Sequence, residues 1–502
     1  MSGDLQKDLS PHSPSAVGRK TFRGSVGVTL ADSLAVPAGL LIVIILTRGL
    51  GPETYGVFVL ASSIVLWLEW TLASFFSRAS VKMISDSPTP MEVASALVRW
   101  ETGVGLVAGI LLAVGAPWIA ALLKEPAITL PLRLLAIDIP IFTAGQALRN
   151  AQVGVGRFDR RAAASATRSI VRLVLTLLLI QLGFSVAGAV LAMIGASIAE
   201  VIVVSRGLAF RWRSGSNAPT FAAVATYAVP TFLFAAAVRI FDRMDLLMFK
   251  ALGASTAAAG LYGATLTATR IPMLLAGSIG PLVLASMSIL IRTREREAAQ
   301  TLARQSVRLT FLLLPFAVIG AGLSTPLLRL ALGREYAVDV FVPSALIMAA
   351  LGLFLLSIGV AILTAADRPR ATSVAGGLMV IAALPAHLLM IPRLGAEGAA
   401  VVSATVAILA AAGTTWFALR VLGTGFPILS LFRCLLVAIP AWFASRFLEV
   451  EGPLVLLAVA GLSALAVGGL YLVREIGPAE VRLLSSLRPG SSKESAEAES
   501  PL

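Results

Sequence analysis

Residues 26–48 read VGVTLADSLAVPAGLLIVIILTR, an apolar run in which Asp32 is the only acid. At about 1.5 Å per residue it reaches about 34 Å, enough to cross the hydrocarbon of a bilayer as a helix. Upstream lie 25 polar residues carrying Lys7, Arg19, Lys20 and Arg23, with no short apolar core and cleavage site of a signal peptide. Downstream, stretches of the same kind recur at 55–77, 93–115, 128–150, 167–183, 186–206, 221–250, 255–290, 305–327, 338–362, 371–391, 397–419, 428–448 and 453–473. The pattern predicts an all-α integral membrane protein of about fourteen transmembrane helices.

Composition agrees. Of 502 residues, 57% are hydrophobic and 13% charged, with a mean hydropathy of +0.90. A soluble domain carries about 25% charged residues, so this chain cannot cover itself with water-facing groups. No polar stretch between apolar runs exceeds about twenty residues, too few to close a soluble catalytic core. One cysteine, Cys434, and two histidines, His12 and His387, leave no material for a disulfide framework or a metal site.

The formal charge of +13 reads as topology rather than nucleic-acid binding. With the N-terminus inside, 29 of the 40 Lys and Arg fall on the cytoplasmic side, spread over eight short segments. Eight fall outside: Arg48, Lys124, Arg133, Lys250, Arg329, Arg334, Arg393 and Arg446. That bias orients the chain with both termini cytoplasmic.

Three matches suggest an internal repeat. Arg48-Gly-Leu-Gly51 with Tyr55-Gly56 is similar to Lys250-Ala-Leu-Gly253 with Tyr262-Gly263. Leu182-Gly183 with Gly188-Ala189 is similar to Leu394-Gly395 with Gly398-Ala399, and Arg160-Arg161-Ala162 to Arg368-Pro-Arg370-Ala371. The resulting division is a cytoplasmic tail (1–25), two pseudo-symmetric six-helix bundles (26–206 and 221–419), two further helices (428–473) and a cytoplasmic tail (474–502), whose end Ser485–Leu502 reads as disordered. Paired bundles of this kind place a substrate path between the halves.

Ionisable groups inside such spans cost about 2.5–3.5 kcal/mol each, so each needs a partner or a task. Arg239, Asp242 and Arg243 share a helix face by their spacing, with Asp245 one turn on. They form either an internally neutralised patch or a cationic wall. Arg270 lies fifteen residues into its span beside Pro272, which loosens the helix there. Its alternatives are a carboxylate on another helix, Asp138 among them, or an anionic substrate whose phosphate oxygens the guanidinium fork would bind. Asp32, Glu69, Asp138 and Glu200 in the first half, with Asp242, are candidates for binding a proton or Na⁺, or for pairing with an arginine. Arg78 and Arg149 sit where their spans meet the cytoplasm, as anchors or as a basic mouth for a lipid phosphate. His387, Tyr55 and Tyr262 read as interfacial, and Gly105 with Gly109 as a close helix contact. No phosphate loop, zinc motif or paired-carboxylate loop marks an enzyme.

The run Leu46-Thr-Arg-Gly-Leu-Gly-Pro-Glu-Thr-Tyr-Gly56 resembles the opening of bacterial polysaccharide (oligosaccharide) flippases. Arg157-Phe158, the Asp242 segment with Leu261-Tyr262-Gly263, and Ile391-Pro-Arg-Leu-Gly-Ala-Glu-Gly-Ala-Ala400 are similar too, so that the resemblance covers roughly 20–475. It implies fourteen helices in two lobes around a cavity, in the bacterial inner membrane. It implies export of undecaprenyl-diphosphate-linked oligosaccharide by alternating access, without an enzymatic step or a cofactor. Its partners would be the lipid-linked glycan, membrane lipids and polysaccharide polymerase or ligase proteins. Arg239 and Arg270 are the positions suited to meet the diphosphate. The alternative is a drug/cation antiporter of the same superfamily. A membrane-embedded glycan polymerase would need a larger outer loop than the dozen residues available.

Overall fold

The computed structural model describes residues 14–206, 219–336 and 338–477, with the side chains of all of these except 14–33, 36, 227, 230, 231 and 271–278. Residues 1–13, 207–218 and 478–502 lie outside that description, as does the side chain of Asp32.

Every described element is helical. The first half holds α1 (14–50), α2 (52–85), α3 (Pro90–Leu122), α4 (Pro126–Gly154, with a break at Ile137), α5 (Phe158–Gln181) and α6 (Ser185–Ser205). The second holds α7 (Phe221–Ala251), α8 (Thr256–Ala268), α9 (Ile271–Arg292), α10 (Arg296–Gly322, with a break at Leu313), α11 (Ser324–Leu332), α12 (Phe341–Ala365), α13 (369–394) and α14 (396–422). α15 (Ile428–Phe447) and α16 (Leu454–Leu472) follow. Among the described residues, ten stretches are long and apolar enough to cross a membrane; four of these, Pro37–Ser85, Pro126–Gly154, Arg296–Gly322 and Pro369–Leu422, each contain a break.

The breaks fall where backbone chemistry requires them. Gly51 (φ 72°) separates α1 from α2 and Gly395 (φ 58°) separates α13 from α14, a region that side chains with a Cβ rarely enter. The repeat seen in the sequence recurs here in the backbone. Gly253, the counterpart of Gly51, also has positive φ (114°), and so does Gly183 (84°), the counterpart of Gly395. The long span at 255–290 divides at Thr269–Arg270, with Pro272 in the first turn of α9.

Packing follows membrane rather than aqueous logic. On α3 the large side chains Leu106, Val107, Ile110, Leu111, Val114 and Trp118 are exposed, while Gly105, Gly109, Ala116 and Ala120 face inward. Small residues let helices approach; large apolar ones meet lipid. A Cβ at Gly105 would overlap Thr143, and one at Gly109 would lie 2.6 Å from the Ala136 carbonyl oxygen, so the expected close contact is made with α4.

The halves meet along α2, which packs on α7 and α8. Near the α1–α2 break the contact is backbone to backbone: a Cβ at Gly56 would overlap the Thr256 carbonyl oxygen, and one at Gly260 the Pro52 carbonyl oxygen. Beside them Glu125 accepts from Lys250 Nζ (3.1 Å) and from the Thr256 hydroxyl. Arg48 donates to the carbonyls of Leu330 (2.6 Å) and Ala331 (3.1 Å) at the end of α11. Tyr55 and Tyr262 are here too, each 2% exposed. They are core residues, not interfacial anchors: Tyr55 packs edge-on against Tyr336, and Tyr262 donates to Asp245 (3.0 Å). His387 is likewise fully buried rather than interfacial.

Candidate functional site

α7 brings the predicted charged face to the middle of the molecule. Asp242 accepts from Arg270 Nη1 (2.9 Å), whose Nη2 donates to the Asp242 main-chain carbonyl (2.6 Å). Arg243 stands 3.9 Å from the same carboxylate. The partner of Arg270 is therefore Asp242 of its own half and not Asp138. Asp245, a turn further on, accepts from Tyr262 and from Ser403 (3.2 Å). Asp242, Asp245, Arg270 and Ser403 line a cavity of about 30 Å³, the size of one water. Arg270 and Arg243 keep 23% and 16% of their side chains exposed, so this cluster is reachable.

Arg239 points the other way, into the first half. Its guanidinium lies over the Trp70 ring (5.3 Å). Trp70 meets Phe142 edge-on (5.9 Å), and Arg168 lies over Phe142 (4.4 Å). Two cations on different halves are thus joined through two aromatic rings, each contact supported by the negative face of the ring.

The first bundle encloses a second ionisable cluster. Arg149 is ion-paired with Glu200 and only 7% exposed, so it is not part of a basic mouth: α4 carries it inward to a carboxylate on α6. Arg168 reaches Glu200 (3.2 Å) and Glu69 (3.9 Å). Ser80 donates to Glu101 (2.6 Å). Glu69 and Asp138 are neighbours with no exposure, their carboxyl groups facing each other, and the Ser197 hydroxyl lies beside Asp138. Arg172 lies near both carboxylates, and Tyr55 lies near both Arg172 and Arg243 of the other half. Arg78 is exposed, toward the end of α2. Among the described residues no group of three or more His, Cys, Asp or Glu is placed to hold a metal.

Sequence reasoning missed Arg168, Arg172, Glu101 and Trp70 as parts of these clusters. The apolar run at 167–183 puts Arg168 and Arg172 in its first residues, among the cations of the cytoplasmic end. The helix starts at Phe158, which puts them about 15 and 21 Å along it, one turn apart on one face.

The sequence profile of the polysaccharide biosynthesis protein family matches residues 45–340. No curated protein matches the chain. Among solved structures, the lipid II flippase MurJ in an inward closed conformation gives a TM-score of 0.71 at 15% identity, covering 90% of this chain and 99% of that one. An inward-facing multidrug resistance MATE family transporter of the MOP superfamily gives 0.68 at 14% identity, over 78% of this chain and 94% of that one. A MOP superfamily transporter from Pyrococcus furiosus gives 0.57 at 13% identity, over 81% and 97%. At such identities the shared property is the fold: that of MOP superfamily transporters and flippases, which are not enzymes.

Proposed function

This chain belongs to the polysaccharide biosynthesis protein family, and from that premise we propose that it is a flippase for undecaprenyl-diphosphate-linked oligosaccharide. The substrate moves from the cytoplasmic to the outer leaflet of the bacterial inner membrane by alternating access of the two halves, with both termini cytoplasmic. The observation that carries the proposal is the set of partly exposed guanidiniums gathered on α7 and at the break between α8 and α9. Arg243 and Arg270 offer planar forks to the diphosphate, and Arg239 extends the cationic face along α7. Trp70, 43% exposed beneath Arg239, adds an apolar platform for a sugar ring.

Transport against a gradient needs a driving ion. The proposed site is Glu69 with Asp138, two fully buried carboxyl groups that face each other. Two adjacent carboxylates in a low-dielectric interior favour sharing one cation, a proton or Na⁺. Glu200 is committed to Arg149 and Arg168, and Asp242 to Arg270, which makes those two pairing residues instead. The flipped glycan would pass to polymerase or ligase proteins outside.

The experiment is deletion of the gene, with surface polysaccharide and cytoplasm-facing lipid-linked oligosaccharide measured together. Loss of the first with accumulation of the second is expected. Unchanged glycan with raised sensitivity to cationic drugs would replace this reading with the drug/cation antiporter, which the same acid pair also suits.

A further inference from the structure

The outer face assigned by the Lys/Arg count is poor in cations, yet four of its eight line one cavity. Arg48, Arg329, Arg334 and Arg446 surround a space of about 1190 Å³ between α11, the end of α10 and the turn joining α15 to α16. Glu449 and Glu451 are the carboxylates of its wall. Arg329 is paired with Glu451 (2.7 Å), and Arg48 caps the end of α11. Arg334 and Arg446 are exposed, and the guanidinium of neither has an ion pair or hydrogen bond among the described residues. The wall therefore keeps an excess of positive charge, with two planar forks uncommitted.

The depth of the cavity identifies what can reach it. α15 has 20 residues, about 30 Å, one hydrocarbon thickness. Its outer end carries Trp442, Phe443 and Phe447, exposed by 36%, 50% and 77%, with Phe443 and Phe447 stacked at 6.3 Å. Aromatic side chains exposed in this way sit at the headgroup level. Arg446 is next to Phe447, so the cavity opens in the plane of the lipid phosphates. Guanidinium forks bind phosphate oxygens two at a time, in a way that ammonium groups do not.

We infer that this outer cavity is a lipid-phosphate site, held by Arg334 and Arg446 with Arg48 and Arg329 behind them. Two sources share that chemistry: the diphosphate of the polyprenyl carrier after it is flipped, and an anionic phospholipid of the outer leaflet. The first assignment rests on the flippase reading; the site itself does not.

The test uses the purified full-length protein, titrated separately with undecaprenyl diphosphate and phosphatidylglycerol, with lipid retention counted by native mass spectrometry. R334Q/R446Q is the variant. Both side chains are exposed and unpaired, so folding should be unaffected, and a thermal melt checks it. The expected result is about tenfold weaker retention of a lipid phosphate by the variant. Loss confined to undecaprenyl diphosphate assigns an exit site. Loss of phosphatidylglycerol, alone or together with it, assigns a leaflet-lipid site. Equal retention of both lipids by variant and wild type overturns the inference. A deletion strain with normal glycan would remove the flippase reading and leave this result standing, so the two failures are distinguishable.

Discussion

Arg270 holds Asp242 at two points, its carboxylate at 2.9 Å and its main-chain carbonyl at 2.6 Å, across 28 residues and a helix break. The guanidinium is thereby oriented before any substrate arrives, and its remaining exposed edge is what an anion would meet. Preorganisation of this kind spares the ordering cost of a free arginine side chain.

Replacing Arg270 should therefore remove more than charge. Arg270→Ala is expected to abolish export with normal membrane insertion, and Arg270→Lys to restore little, because an ammonium lacks the rigid planar fork that holds both oxygens of Asp242 and still presents an edge to an anion. Surface glycan and protein level in a complemented deletion strain are the readouts. Normal glycan in the alanine variant would take Arg270 out of the site.

Glu69 and Asp138 should act as a unit. Glu69→Gln and Asp138→Asn are each expected to uncouple transport in proteoliposomes from an imposed proton or sodium gradient, and the double variant should be no worse than either single one. Additive effects, or full coupling in the single variants, would show that the pair does not share an ion.

The glycine crossing between the halves makes a steric prediction. Gly260→Ala puts a methyl group into the Pro52 carbonyl oxygen, so the outer ends must separate. Spin labels at Ala127 and Leu252 should report a longer distance than in wild type, and transport should slow. An unchanged distance distribution would mean that the crossing does not close the outer side.

Acid should loosen the same contact. Burial works against the charge on Glu125, but the hydrogen bonds from Thr256 and Lys250 and the lysine charge outweigh it, holding this carboxyl below its usual range. Its stabilising contribution is complete above the ordinary carboxylate value of about 4.3 and is lost as pH falls through the lower folded value. The Ala127–Leu252 distance should hold at pH 6 and lengthen only below about pH 4. Glu125→Gln should give the longer distance at every pH. Widening already between pH 7 and 5 would point to another group.

Orientation can be checked directly. A periplasm-active reporter fused after Arg296 is expected to be silent, and one fused after Glu451 active. The reverse pattern would invert the chain and move the Arg334–Arg446 cavity to the cytoplasmic face.

Much of the helical layout was legible because it depends on local properties. Apolar run length placed most of the helices, and Pro272 marked where the long 255–290 span divides, whereas Gly51 and Gly395 stood out only as parts of repeated motifs. Pairing was not legible, since it depends on which helices meet. Arg149 looked like a surface anchor until α6 brought Glu200 to it. Tyr55 looked interfacial until Tyr336 and the second half covered it. Arg168 and Arg172 were hidden because a polar first turn made α5 start late to a hydropathy window.

Arg270 also occupies the N-cap position of α9. The backbone amides of that first turn carry roughly half a positive charge at the same point. Part of the local field is thus written into the chain direction instead of a side chain, and no single substitution can erase it. Loss of the Arg270 side chain would remove the preorganised fork that export requires, while this weaker pull of the backbone on anions would remain.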